Sequence, residues 1–363
     1  MYKIVAFLIR FSILYKKSNI NTGKNKMNSL TTGQIHTPTF DIAIVGAGLA
    51  GSLCAHLLSQ SGQSVCVIDK SRGSGGRASS KRLEGDISCD LGTPYIVAKH
   101  PDTLALFKQL TEEHVAAPWK QLSKASSQAF VGAPKMSAIT RHWVQNASFI
   151  TSTRIHHLDQ ITQQGDDQPS WLLRDDKYQP VVIAKKIIIA APAPQAASIL
   201  ASHEKLAVLL LRANQASASY ESQWAMWLET ETCDLNALIE PKGSPIKRMI
   251  KDNYKPMRHS EKVDRWVIQT APNWTKQHLD AEKDWITQTL LQAFAEITEH
   301  RVLKHGDPHR WFLSRFAENK GNNPFAWSPE HNVGLVGDWL CQGDAEGALI
   351  SAISLINHIK NSK

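Results

Sequence analysis

A chain of 363 residues is long enough for two domains of ordinary size, and its 42% hydrophobic content is that of a globular protein. The formal charge of +8 misleads. Lys3, Arg10, Lys16, Lys17, Lys24 and Lys26 are joined by no acid in the first 40 residues, so only +2 remains for everything that follows. That near-neutral body gives no basic surface for nucleic acid, and no run approaches the roughly 20 apolar residues of an integral membrane span.

Residues 1–38 read as an N-terminal extension, disordered or non-native, with Met27 as a candidate start. A basic amphipathic surface helix and a signal sequence are the alternatives for the apolar run Ile4 to Tyr15. The first strand expected is Ile42 to Val45, which breaks into Gly46-Ala47-Gly48-Leu49-Ala50-Gly51. A helix follows, with Leu49, Ala50, Leu53, Cys54, Leu57 and Leu58 on one face. Val65 to Ile68 is a second strand, tipped by Asp69. This is the pattern of a dinucleotide site. Gly46 permits the tight turn, Gly48 lets a pyrophosphate approach the backbone, and Gly51 lets helix and strand pack closely. The free N–H groups and dipole at Leu49 hold phosphate. Asp69, 23 residues after Gly46, suits a ribose hydroxyl.

Gly73-Ser74-Gly75-Gly76-Arg77 is a loop, and helix-like and mixed segments run on to Val144. Ser148 to Leu158 reads as one short strand, and Ser170 to Leu173 with Val181 to Ile183 as a hairpin. Lys186 to Ala191 is a buried strand closed by Pro192 and Pro194. The block up to Glu299, rich in Trp, is expected to be mainly helical, with Trp266 to Gln269 as a strand within it. Asp280 to Ile297 is a helix whose apolar face is Trp285, Leu290, Leu291, Phe294 and Ile297. The cations Lys247, Arg248, Lys251, Lys255, Arg258 and Lys262 read as a solvated face or loop. Near the end, Val333 to Val336 runs into Gly337-Asp338, and Glu346-Gly347-Ala348 opens a helix through Leu349, Ile353, Ile356 and Ile359. A glycine at that start marks a second close backbone approach.

The five cysteines are odd in number and form no CxxC, and Cys54 and Cys66 fall at core positions. A reducing, cytoplasmic location is expected. No histidine spacing suggests a metal, and none is expected.

With these residues in hand, the chain resembles flavoproteins of the amine-oxidase/glutathione-reductase type and, within them, the renalase-like family. The resemblance rests on the run Asp69 to Arg77 with Ser80-Lys81-Arg82, on Gly132 to Ala138, on Gly337-Asp338-Trp339 with Glu346-Gly347-Ala348, and on Trp266 to Trp274 and His309-Arg310-Trp311. It implies an α/β fold: a Rossmann-like FAD-binding domain of the glutathione-reductase type, with an inserted α+β substrate domain containing a mixed or antiparallel sheet. Residues 39–100, 148–200 and 305–363 would form the first, and 101–147 and 201–304 the second. It implies non-covalent FAD, held by Gly46, Gly48, Leu49, Ala50, Gly51, Asp69, Lys70, Gly76, Arg77, Gly337, Asp338, Glu346, Gly347 and Ala348. Arg77 would lie along the pyrophosphate, Asp338 at the ribityl or phosphate region, and the helix start at Glu346 by the isoalloxazine; capping its own helix is the other role open to Glu346. Thr93, Tyr95, His309 and Trp311, with Arg310, are the substrate-pocket candidates, plain packing being the alternative for the last three in the chain.

Two departures stand out. The family's Asp-x-Gly-Ala-Gln-Tyr is Asp90-Leu91-Gly92-Thr93-Pro94-Tyr95 here, so Pro94 replaces an amide beside the flavin. Cys341 does not sit where monoamine oxidases attach their cofactor and reads as core or pocket lining. The implied reaction is hydride transfer from a small molecule, an isomeric dihydro-NAD(P), to flavin N5, with O2 as acceptor and H2O2 as product. No side chain is assigned as catalytic, since the flavin carries that chemistry. A flavin amine oxidase, a flavin-binding protein without turnover and an NAD-dependent dehydrogenase are the other readings.

Overall fold

The computed structural model describes residues 37–361 except residues 86, 163–167, 259–261 and 317–322. Nearly all of the expected extension at residues 1–38 lies outside the described residues.

The apolar runs assemble one large sheet. Strand β1 (Thr39–Val45) pairs in parallel with β2 (Val65–Ile68), and β2 in parallel with β3 (Ser148–Ile150). Strands β4 (Ile155–Ile161) and β5 (Ser170–Asp175) run antiparallel to one another, and β5 antiparallel to β6 (Pro180–Ile189). β6 lies on the other side of β1, in parallel, and takes Val333–Leu335 along its last residues, from Ile187↔Val333 to Ile189↔Leu335. The single strand expected over 148–158 is therefore two, parted by a turn where Ser152 adopts φ 54°.

Why these runs are continuous follows from the two faces. Ile42 and Ile44 point into one core with helices α1 (Leu49–Ser59), α2 (Pro101–Glu112) and α3 (Ser137–Val144), through Leu53, Phe107 and Trp143. Ala43 and Val45 point into the opposite core with Cys66, Trp171 and Leu200. Both thiols expected in the core are there, and burial pushes Cys66 up to about 12.

A second, wholly antiparallel sheet holds β7 (Tyr220–Glu231), β8 (Leu238–Ile239), β9 (Ile246–Lys251), β10 (Val263–Thr270), β11 (Val302–His305) and β12 (His309–Phe316). Their order is β8-β9-β10-β7-β11, with β12 along the first half of β7. The expectation of a mainly helical block is thus corrected. Trp224, Met226 and Leu228 pack on helix α4 (Lys283–Thr298), while Ala225 and Trp227 pack on Leu91 and Trp311. With both faces covered, β7 shows no polar alternation, and its Trp-rich run is indistinguishable from a buried helix by period. Helix α4 buries Ile286, Leu290 and Phe294, whereas Trp285 is 46% exposed and stacks on Trp274 at 6.0 Å.

The cation cluster is corrected as well. Lys251 and Lys255 are fully buried. Lys255 Nζ donates to Asp90 at 2.8 Å and to Asp252 at 2.5 Å, Arg258 pairs with Asp90, and Lys251 with Asp264 at 2.7 Å. Only Lys247 and Lys262 are fully surface groups. Burial alone would raise the Asp90 carboxyl; Lys255 and Arg258 outweigh it and hold it below the usual range. Among the described residues no helix is long and apolar enough to cross a membrane.

Candidate functional site

The carboxyl ends of β1 and β2 open into a cavity of 2110 Å³. That is about twice the roughly 1,000 Å³ at the upper end for a small-ligand pocket, so it has room for a dinucleotide and a second molecule. One wall is backbone. Gly46 turns at φ 109°, and a Cβ there would stand 2.7 Å from the Ala190 carbonyl oxygen. At Gly51 a Cβ would come within 1.9 Å of the Gly46 oxygen. Gly48 differs: nothing lies within 4 Å of its missing Cβ, and it faces the cavity. As the residue before α1 it also brings no side-chain cap. The first N–H groups of the helix are left for a ligand, and an anion at a helix N-terminus is the natural one.

Asp69 sits at the tip of β2 and fixes this turn. Its Oδ2 accepts from Ala47 N–H and its Oδ1 from Ser71 N–H, both at 2.7 Å. Arg77 reaches across to the chain's last segment and grips Asp338 with two parallel bonds of 2.6 and 2.7 Å, giving a third to the Ser314 carbonyl. Two residues expected at separate places on a cofactor therefore hold each other.

Helix α5 (Ala345–Asn361) begins at the same cavity, and its opening residues divide the work differently from expectation. Glu346 is buried, and its Oε1 accepts from Lys99 N–H at 2.6 Å, His100 N–H at 2.8 Å and the Thr103 hydroxyl at 2.6 Å. It secures the entrance to α2 instead of capping its own helix. That cap is Asp344, which accepts from Gly347 N–H at 2.7 Å. Gly347 is needed because a Cβ would stand 1.9 Å from the Cys341 oxygen. Asp344 carried no signal beyond being an acid before a helix, and sequence reasoning passed over it.

Of the residues expected at the cofactor, all but Gly51 and Gly347 line the cavity. Thr93, Tyr95, His309 and Trp311 line it too, as do Pro94, Arg310 and Cys341. Burial together with Asp344 and Glu346 pushes the Cys341 thiol up to about 11. The His309 ring, desolvated and near Lys81 and Lys283, is held below the ordinary imidazole value. The Trp311 indole N–H is buried with no partner among the described residues.

The second wall is side chains, and sequence reasoning missed most of it. Fully buried Gln269 donates through Nε2 to the carbonyls of Leu91 at 2.7 Å and Gly92 at 2.5 Å, and its Oε1 accepts from Arg248 Nε at 2.6 Å. Arg248 and Gln269 are opposite one another in the β9–β10 ladder. The strip Gly92 to Tyr95 is thereby tied to the second sheet. Among the described residues, no group of three or more His, Cys, Asp or Glu side chains is placed to hold a metal.

Residues 44–110 match the family model of an NAD(P)-binding Rossmann-like domain. Among solved structures, a putrescine oxidase redesigned in its cofactor binding, the A394C mutant, superposes with a TM-score of 0.63 at 11% identity, over 90% of this chain and 100% of that one. The chain shares the fold of this oxidase. An Exiguobacterium sp. 255-15 protein named as a candidate protoporphyrinogen oxidase matches with a TM-score of 0.62 at 12% identity, over 90% and 100% of the two chains. An oxidoreductase from Methanosarcina mazei gives 0.60 at 12% identity, over 87% and 99%. The parallel sheet and the antiparallel sheet are both parts of this shared fold.

Proposed function

We propose that the chain is an FAD-dependent oxidoreductase that takes a hydride from a small molecule, with an isomeric dihydro-NAD(P) as the substrate and O2 as the acceptor. The observation that carries this is the cavity itself: an uncapped helix start, an acid at a strand tip and a second wall of polar side chains surround one space large enough for cofactor and substrate together. Bound FAD supplies an electron sink that accepts hydride and passes electrons to oxygen.

The chain's own residues supply the binding and orientation. Gly46, Gly48, Leu49 and Ala50 receive the pyrophosphate on backbone N–H groups. Asp69, with lone pairs to spare after Ala47 and Ser71, accepts from the ribose, and Lys70 flanks it. Arg77 would offer phosphate the N–H groups that Asp338 and Ser314 leave over, while Asp338, held by it, would accept from a ribityl hydroxyl. Gly76, Gly337 and Ala348 leave the cofactor room, and Thr93, Tyr95, His309 and Trp311 border the substrate. A dihydropyridine already favours hydride loss, so a strong general base is not required.

A flavin amine oxidase is the second reading, favoured by the likeness to putrescine oxidase. The absorbance spectrum of the purified protein, taken before and after anaerobic addition of isomeric dihydro-NAD(P) or of putrescine, separates the two. The expected result is a flavin spectrum bleached by the dihydronicotinamide. Bleaching by the diamine alone would replace the first reading with the second, and a colourless protein that takes up no FAD would end both.

A further inference from the structure

We propose that Arg248 and Arg315 form an anion subsite in the substrate half of the cavity, selecting a substrate that carries a carboxylate or phosphate group over a cationic amine. The inference rests on the reading of this cavity as a flavoenzyme site and specifies what its second ligand must carry. Arg248 is held from its root: one of its five N–H donors goes to Gln269, whose amide is itself fixed by two backbone carbonyls, and the Tyr95 hydroxyl lies against it. The guanidinium is positioned before any ligand arrives. Arg315, on β12, lines the same chamber. Glu221 lies opposite it in the ladder, yet no ion pair joins them among the described residues.

Arg310 is not available for this role. It donates to the Leu279 carbonyl and to Asp280, and lies over the Phe312 ring at 4.3 Å. Setting it aside, the chamber holds Lys247, Arg248 and Arg315 against Glu221 and Glu240. The excess is positive, and the acid beside Arg248, Glu240, is exposed and unpaired with it. Two guanidinium groups that line one chamber, neither in an ion pair among the described residues, are stabilised by an anion, and the planar fork fits carboxylate and phosphate alike.

The test uses the FAD-loaded protein and three redox-inert or control probes: nicotinamide mononucleotide for phosphate, benzoate for carboxylate, and putrescine for the cation. Binding is read by calorimetry and by perturbation of the flavin absorbance. One or both anions bind the parent protein, and which one does so identifies the group. Arg248→Gln and Arg315→Gln each weaken that anion by about tenfold or more, the loss of a charge-assisted bond, and do not weaken putrescine. Arg248→Lys falls between, keeping a charge and losing the fork. Arg315 is exposed, so its variant keeps the fold, which thermal melting checks. Absence of anion binding to the parent, an anion affinity unchanged in both Gln variants, or tighter binding of putrescine than of either anion overturns the subsite. A separate titration of FAD into the purified chain reports on the flavoenzyme reading. If FAD does not bind, the calorimetric comparison on the chain as purified still decides the subsite.

Discussion

The two walls of the cavity are held by different means. The Rossmann wall is a backbone device: Gly46, Gly48 and Gly51 shape it within six residues, and the one acid that steadies it, Asp69, arrives with the next strand. The opposite wall is a side-chain device, in which Asp90 meets Lys255 and Arg258, and Gln269 meets Leu91, across separations greater than 150 residues, while Arg248 joins Gln269 from the neighbouring strand. A backbone device tolerates almost any neighbour but not a Cβ in the wrong place. A side-chain device has the reverse sensitivity, since removing one member strands the others in a dry interior.

That contrast can be broken most sharply at Asp90. Asp90→Ala leaves Lys255 and Arg258 buried without their shared carboxylate, and a loss of about 3–5 kcal/mol is expected. Chemical denaturation should show it; a loss below about 1 kcal/mol, ordinary for a surface change, would mean that the network is not what ties this wall together. Acid tests the same wall without mutation. Asp90 and Asp264 titrate below their usual range in the fold. Their contribution is complete above the unfolded carboxyl value of about 3.9 and is lost as pH falls through their lower folded values. The share of stability that Asp90 carries should be flat from neutrality to about pH 5 and then decline, read as the parent's advantage over Asp90→Ala in the midpoint of thermal unfolding at each pH.

On the backbone wall the expected effects are smaller and split by position. Gly51→Ala forces a methyl against the Gly46 carbonyl and should cost about 1–3 kcal/mol, as overpacking does. Gly48→Ala meets open space at an ordinary φ of −74° and should leave the melting point of the cofactor-free chain within a degree or two, a change of about 0.5 kcal/mol or less. Its FAD affinity, by fluorescence titration, should fall by about tenfold. Equal behaviour of the two alanine variants would erase the distinction between a packing glycine and a ligand-facing one.

The same contrast explains what was legible in the sequence. The β1–α1–β2 unit, the β5–β6 hairpin and helix α5 follow from local patterns, and Asp69 is placed by its distance from Gly46. A mixed or antiparallel sheet is implied by the family resemblance, and Trp266 to Gln269 reads as a strand, but its other strands were not legible because both faces are covered, one by α4 and the other by Leu91 and Trp311, which removes the two-residue period. The buried cations were unreadable for a related reason: Lys251 and Lys255 lie among surface-like neighbours, and their acids at 264, 252 and 90 become partners only in the fold. Gly347 was legible as a close approach, but not as one toward Cys341.

The grip of Arg77 on Asp338 sets an order in time. Synthesis delivers β1, α1 and β2 well before Val333–Leu335 and α5. Until those arrive, β6 has β1 on one side along Ile187–Ile189 and nothing on the other, the core around Leu53 lacks Leu349 and Ile356, and Arg77 has no counter-ion. The glycine-lined wall of the cavity, although its signature opens the fold, is therefore finished by a contact across 261 residues of sequence, the kind that closes slowly. Nascent chains arrested before Val333 should carry the glycine turn and lack a site.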